Sequence, residues 1–105
     1  MTWKYVMFSA LVPCANGAAG RTIVELPVLF PPEISHKQIA DGVQRGVGFD
    51  RHSRIEVKPI SAGFVEHLHD SEARCYGSSE SLGIASNPRD TDILRDVARR
   101  NPFFY

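Results

Sequence analysis

The chain's 105 residues suffice for one domain, spanning 1–105, whose single core needs neither metal nor disulfide staples. Twelve Lys and Arg balance twelve Asp and Glu, so no net field favours nucleic acid or an anionic membrane. Hydrophobic residues at 43% and charged residues at 23% are ordinary for a globular chain, and no run approaches the roughly 18–20 apolar residues of a membrane span. The cluster Arg45, Arg51, His52, Arg54 and Lys58 is interleaved with Asp41, Asp50 and Glu56, and reads as a solvated surface.

Lys4 followed by the apolar run Tyr5 to Val12 mimics a secretory leader, and Leu11-Val12-Pro13-Cys14 hints at a lipoprotein site. Pro13 stands where that motif wants a small residue, and the run is short. Trp3 to Val12 is therefore read as a strand. Trp3, Tyr5, Met7 and Leu11 line one face and Val6, Phe8, Ala10 and Val12 the other, so both faces require cover. Pro13 to Arg21 is a loop; its glycines lack the Gly-Lys-Ser/Thr ending of a phosphate loop. Thr22 to Phe30 is a second strand, with Val24, Leu26, Val28 and Phe30 on its more apolar face. Pro27 has no N–H for a ladder, which places this strand at an edge or marks a bulge.

Ser35-His36-Lys37-Gln38 fits a capping box, and Ile34 with Ile39 fits a hydrophobic staple. Ile39, Ala40, Val43 and Val47 recur at helical spacing, and Gly46 and Gly48 supply the stop, so a helix runs from about His36 to Arg45. His36 falls in its first turn and reads as a surface residue. From Arg54 the apolar set is Ile55 and Val57, then flips to Ile60, Ala62 and Phe64, with Lys58-Pro59 at the flip as a bulge would be. Ser61 to Ile84 reads as a hairpin closed by His69-Asp70-Ser71-Glu72. Centring the tip between Asp70 and Ser71 sets Leu68 opposite Ala73, Glu66 opposite Cys75 and Val65 opposite Tyr76. The return half, Cys75 to Leu82, is polar enough for an edge strand. Asn87 then caps a second helix, with Pro88 in its first position and Asp90 in its third. Ile93, Leu94, Val97 and Ala98 form its stripe, Asp96 and Arg100 an i,i+4 pair, and Pro102 its end. The order β-β-α-β-β-α predicts an α+β domain: a mainly antiparallel four-stranded sheet with two helices on one face, in two layers.

His67, His69 and Cys75 form the most tempting metal or nucleophile cluster. Zinc needs three or four converging ligands, and the register above separates the Cys75 thiol from the imidazoles, so no metal or other cofactor is expected. Cys75 in mid-strand reads as a small core residue. With Cys14 it permits one disulfide without requiring it, and a reduced, cytoplasmic setting is expected. Gly77-Ser78-Ser79-Glu80-Ser81 lacks the last Gly of a nucleophile elbow. No catalytic constellation is assigned; an enzyme on the hairpin's polar face would use His67 as base with Tyr76 or Ser78 nearby. Val65, His67, Arg74 and Tyr76 would serve as a stacking face for single-stranded nucleic acid, against the neutral charge. Phe103, Phe104 and Tyr105 either close the core or dock on a partner, and Trp3 and Tyr5 add to the second outcome.

The segments PVLFP with His36-x-x-Ile39-Ala40, SAGFV, and CYGSSESLGI followed by NPRDTDIL together resemble small bacterial and phage (prophage-type) proteins of unknown function, over roughly Pro27 to Val97. The resemblance implies no activity and carries over no functional residue. It points towards a phage-encoded accessory protein, or an inhibitor of a host defence system or host enzyme. The expectation is a small non-catalytic protein-binding module, contacting a host protein or a second copy of itself in a homodimer.

Overall fold

The computed structural model describes residues 2–13, 20–48, 56–66 and 73–100. Its elements are β1 (Trp3–Pro13), β2 (Arg21–Phe30), α1 (His36–Gly48), β3 (Glu56–Glu66), β4 (Arg74–Tyr76), β5 (Ser78–Ser79), β6 (Ile84–Ala85) and α2 (Pro88–Arg100). Four strands form an antiparallel sheet in the order β2-β1-β3-β4, and β5 and β6 form a small second sheet. The class is α+β, as the pattern of the sequence predicts.

The layering differs from the expectation. Tyr5 and Met7 pack with Val65, Ala73 and Leu94 of α2, whereas Val6 and Phe8 pack with Phe30, Ala62 and Ala40 of α1. Successive strand residues point to opposite faces, so the two helices cover opposite sides of the sheet and the fold has three layers. The cause is β1 itself. A strand apolar on both faces, placed between two others, leaves no face that water can take.

β2 is an edge strand, as Pro27 requires, and pairs with β1 over ten residues without a register shift. Pro27 opposite Met7 fits this ladder at no cost in hydrogen bonds if its nitrogen points away from β1. A second observation sets the same phase. The Cys75 amide donates to Thr91 Oγ1 at 3.0 Å and so points away from β3, which makes Val65↔Cys75 a non-hydrogen-bonded pair. Alternating from there across β1, the odd residues of β2 turn their amides and carbonyls outward. The bulge expected near Pro59 is present: Met7 pairs with Ser61 and Phe8 with Pro59, leaving Ile60 extra. That extra residue lets Val57 face α1 while Ile60 and Val65 face α2.

The hairpin register is one residue from the expected one: Glu66 pairs with Arg74, Val65 with Cys75 and Phe64 with Tyr76. A one-residue slip moves every side chain to the other face. Val65 and Cys75 thus share the α2 side, while Phe64, Arg74 and Tyr76 lie on the α1 side. The return strand is also shorter than Cys75 to Leu82. At Gly77, φ is +80°, and the chain leaves the four-stranded sheet to build the β5–β6 hairpin. A side chain at Gly77 would also press on Phe64 Cδ2 at 3.0 Å. The polar composition after Tyr76 follows from this departure.

α1 begins at His36 as expected and runs to Gly48, beyond Arg45. Its capping box forms, with Gln38 N donating to Ser35 Oγ at 3.1 Å and Ser35 N to Gln38 Oε1 at 2.9 Å. α2 is capped by Asn87, whose Oδ1 accepts from Arg89 N at 3.1 Å, and Arg100 pairs with Asp96 at 3.1 Å. No described helix is long and apolar enough to cross a membrane.

Gly63, beside β4, has no room for a methyl group: an added Cβ would strike the Tyr76 carbonyl oxygen and lie 3.2 Å from its carbon. Both are backbone atoms and cannot swing aside. Gly63→Ala is therefore expected to destabilise the protein by about 3 kcal/mol in urea unfolding. A loss below about 1 kcal/mol would show that β4 does not approach β3 this closely.

Candidate functional site

Three places gather side chains with chemical potential. The first is a cavity of about 500 Å³ where the N-terminus of α1 meets the β5–β6 hairpin. Lys4, His36, Tyr76, Ser78 and Glu80 line it, so two residues of the enzyme reading, Tyr76 and Ser78, share one wall. His67, the expected base, lies outside the described residues, as does His69. His36 stands in the cavity instead. It is only 4% exposed, contrary to the surface position expected of it, and sits edge-on between Phe30 and Phe64.

Several polar groups of this cavity hold the fold together. His36 Nε2 lies 2.9 Å from the Gly63 carbonyl oxygen, and Lys4 Nζ donates to the Ile34 carbonyl at 3.1 Å. The N-terminal amides of α1, which would otherwise suit an anion, are taken by protein groups: Lys37 N donates to Ser81 Oγ at 3.2 Å and Gln38 N to Ser35 Oγ. Ser79 is buried and its Oγ accepts from Leu82 N at 3.2 Å, shaping the turn that carries Ser81. Of these bonds, Lys37 N to Ser81 Oγ ties the hairpin to α1, and His36 ties α1 to β3. Nothing in them activates Ser78 or Tyr76 as a nucleophile.

The second place is buried at the start of α2. The Tyr5 hydroxyl donates to Asp90 Oδ2 at 2.6 Å, and the same oxygen accepts from Asn87 N at 3.0 Å. Tyr5 and Asp90 are both fully buried. Tyr5, expected among partner-binding residues, is thus used inside the core and offers nothing to a partner; Trp3 is half-buried against the same cluster. Burial first, then the bond to Asp90, holds the Tyr5 hydroxyl protonated far above the ordinary tyrosine range. Burial and then the Asp90 charge push the Cys75 thiol up to about 11, against opposing contributions from Thr91, Tyr5 and Arg95. A thiol held protonated is a poor nucleophile, which fits the core role expected of Cys75.

The observed register splits the expected stacking face: Val65 is buried on the side away from Tyr76, while Arg74 and Tyr76 stay together. Arg74 lies 5.4 Å over the Tyr76 ring and donates to Glu66 at 2.7 Å, so its charge is already answered. That register also withdraws the ground on which Cys75 was set apart from His67. Among the described residues, no group of three or more His, Cys, Asp or Glu side chains could hold a metal ion. Cys14, Phe103, Phe104 and Tyr105 lie outside the described residues.

The third place is the outer edge of β2. Ile23 is 66% exposed, Leu26 47% and Val24 37%. Ile23 and Leu26 belong to opposite faces, so apolar surface flanks the open backbone on both sides. A cleft of about 370 Å³ adjoins Ile23, walled by Leu11, Val57 and Lys58. The sequence places Val24 and Leu26 on the strand's more apolar face and offers an edge or a bulge at Pro27; the structure has the edge, with both side chains exposed. α1 packs on β3 and β1 and stops short of them.

Comparison with protein-family models, curated proteins and solved structures finds no match.

Two measurements check the buried cluster. Tyr5→Phe takes one donor from a buried carboxylate and is expected to cost about 1.5–3 kcal/mol in urea unfolding; an unchanged midpoint would contradict the bond. Both perturbed groups are raised: the Cys75 contribution is complete below the ordinary thiol value of 9.0 and is lost as pH climbs through about 11, while that of Tyr5 begins to fall only above its ordinary 10.0. The Tm of the native protein should therefore fall above pH 9.0, and fall less steeply in Cys75→Ala. Equal slopes in the two proteins would contradict the assignment.

Proposed function

We propose that this protein is a binding module that recognises another polypeptide through the outer edge of β2 and the apolar side chains beside it. The observation that carries this reading is a ten-residue edge strand bearing Ile23, Val24 and Leu26 exposed at its rim. Among the described residues, no strand pairs with its outer side. Open edges are templates for an added strand, and natural proteins usually blunt them with lysines, prolines or short length. Here only Pro27 interrupts, and Arg21 to Leu26 is left open. In strand addition, main-chain hydrogen bonds supply affinity and alternate side chains supply selectivity. An accessory or inhibitory role of the kind the sequence resemblance implies would act through this contact, and it requires no chemistry from Tyr76 or Ser78.

The test compares immobilised wild-type protein with a folded Ile23→Lys/Leu26→Lys variant, each offered bacterial lysate and its own free chain. At least one protein should be retained by the wild type and lost by the variant. Identical retention by both, or no retention at all, would overturn the reading.

A further inference from the structure

We infer that the occupant of the β2 edge is a second copy of the same chain, paired antiparallel about a two-fold axis at Ile23. This inference rests on the binding-module reading and names its partner. The basis is the order of residues along the open segment, Arg21-Thr22-Ile23-Val24-Glu25. When two such segments run antiparallel and Ile23 meets Ile23 of the other copy, Arg21 faces Glu25 and Glu25 faces Arg21. Thr22 and Val24 face each other likewise. The segment is its own complement in charge, as a two-fold interface demands.

The backbone agrees with this register. The odd residues of β2 present their amides and carbonyls outward, so Arg21, Ile23 and Glu25 become the hydrogen-bonded pairs of the new ladder. Opposite residues in such pairs have Cα atoms about 5.5 Å apart, within reach of an Arg–Glu contact. Registers displaced towards Phe30 are worse. Centring on Glu25 opposes two carboxylates and pairs Pro27, which has no donor, with Ile23. Centring on Val24 sets Pro27 opposite Arg21. The chosen register keeps Pro27 out of the five-residue core of the ladder.

The side chains agree too. Ile23, the most exposed large apolar residue at 66%, would bury itself against its own copy on the α2 side. Val24 would be covered by Thr22 on the α1 side. In the single chain Arg21 pairs with Glu56 of β3 at 3.3 Å and Glu25 with Arg89 of α2 at 2.6 Å, so each must share or leave that partner to meet the other copy. In the dimer Glu25 would stand between Arg89 and the partner copy's arginine. The interface is small, so the association is weak and concentration-dependent.

Charge variants test the register directly. In Arg21→Glu every facing pair at these positions becomes Glu–Glu, and in Glu25→Arg it becomes Arg–Arg. Each variant alone should self-associate roughly tenfold or more weakly than wild type, the effect of turning two cross-strand pairs from attraction to repulsion. Mixed one to one, they place Glu against Arg at both positions, and sedimentation should recover a mixed dimer. Circular dichroism on each variant secures the fold. A wild type that stays monomeric as concentration rises would overturn self-pairing. If the lysine-sensitive retention persisted in that case, the binding-module reading would stand with a different partner. A wild-type dimer whose two variants do not complement one another would overturn the register.

Discussion

β1 is buried on both faces, and the rest of the molecule is arranged to make that possible. Tyr5, Val6, Met7 and Phe8 are all closed from solvent in consecutive positions. Consecutive buried residues in a strand need two covering layers, so α1 and α2 must take opposite sides. One polar contact stands out in the α2 layer. The Tyr5 hydroxyl needs a partner when buried, and Asp90, the third residue of α2, provides it at 2.6 Å. Because Asp90 also closes the helix cap on Asn87 N, one carboxylate fixes both the start of α2 and its position over β1. Asp90 Oδ1, by contrast, is buried with no hydrogen-bond partner among the described residues.

Much of this was legible in the residues. Pro27 gave the edge position of β2, the flip after Lys58-Pro59 gave the bulge, and the two caps gave both helix starts. Local chemistry decides such features, so local sequence reveals them. The failures share another cause. The strand pattern of Trp3 to Val12 is apolar on both faces, but nothing in the sequence of either helix says which of those faces it covers. The hairpin register depended on a tip position that no glycine or proline pinned, and a slip of one residue exchanged the faces of Val65 and Tyr76. Gly77 looked like part of a polar strand, although its positive φ is what releases the chain into the second hairpin. His36 looked like an exposed first-turn residue, since its burial comes from Phe30, Phe64 and the Gly63 carbonyl, which are distant in sequence.

Lys4 is spent on the Ile34 carbonyl, His36 on the Gly63 carbonyl of β3, and Ser81 on the Lys37 amide at the start of α1. Cys75 keeps its proton, and its amide is tied to Thr91. What remains unspent is the rim of β2, where the sheet simply ends. α1 sits over β3 and β1, and α2 reaches from β4 to β2, yet Ile23, Val24 and Leu26 stay exposed. The proposed binding uses this backbone edge, with side chains setting which strand it accepts.

Amide hydrogen exchange along β2, resolved by residue in dilute solution, tests this central claim most directly. Alternating protection is the expected result: slow exchange at Thr22, Val24, Leu26 and Val28, whose amides face β1, and fast exchange at Ile23 and Glu25, whose amides face out. Equal, strong protection of Ile23 and Glu25 at the lowest concentration would mean that the chain already covers this edge itself, and the account would be wrong.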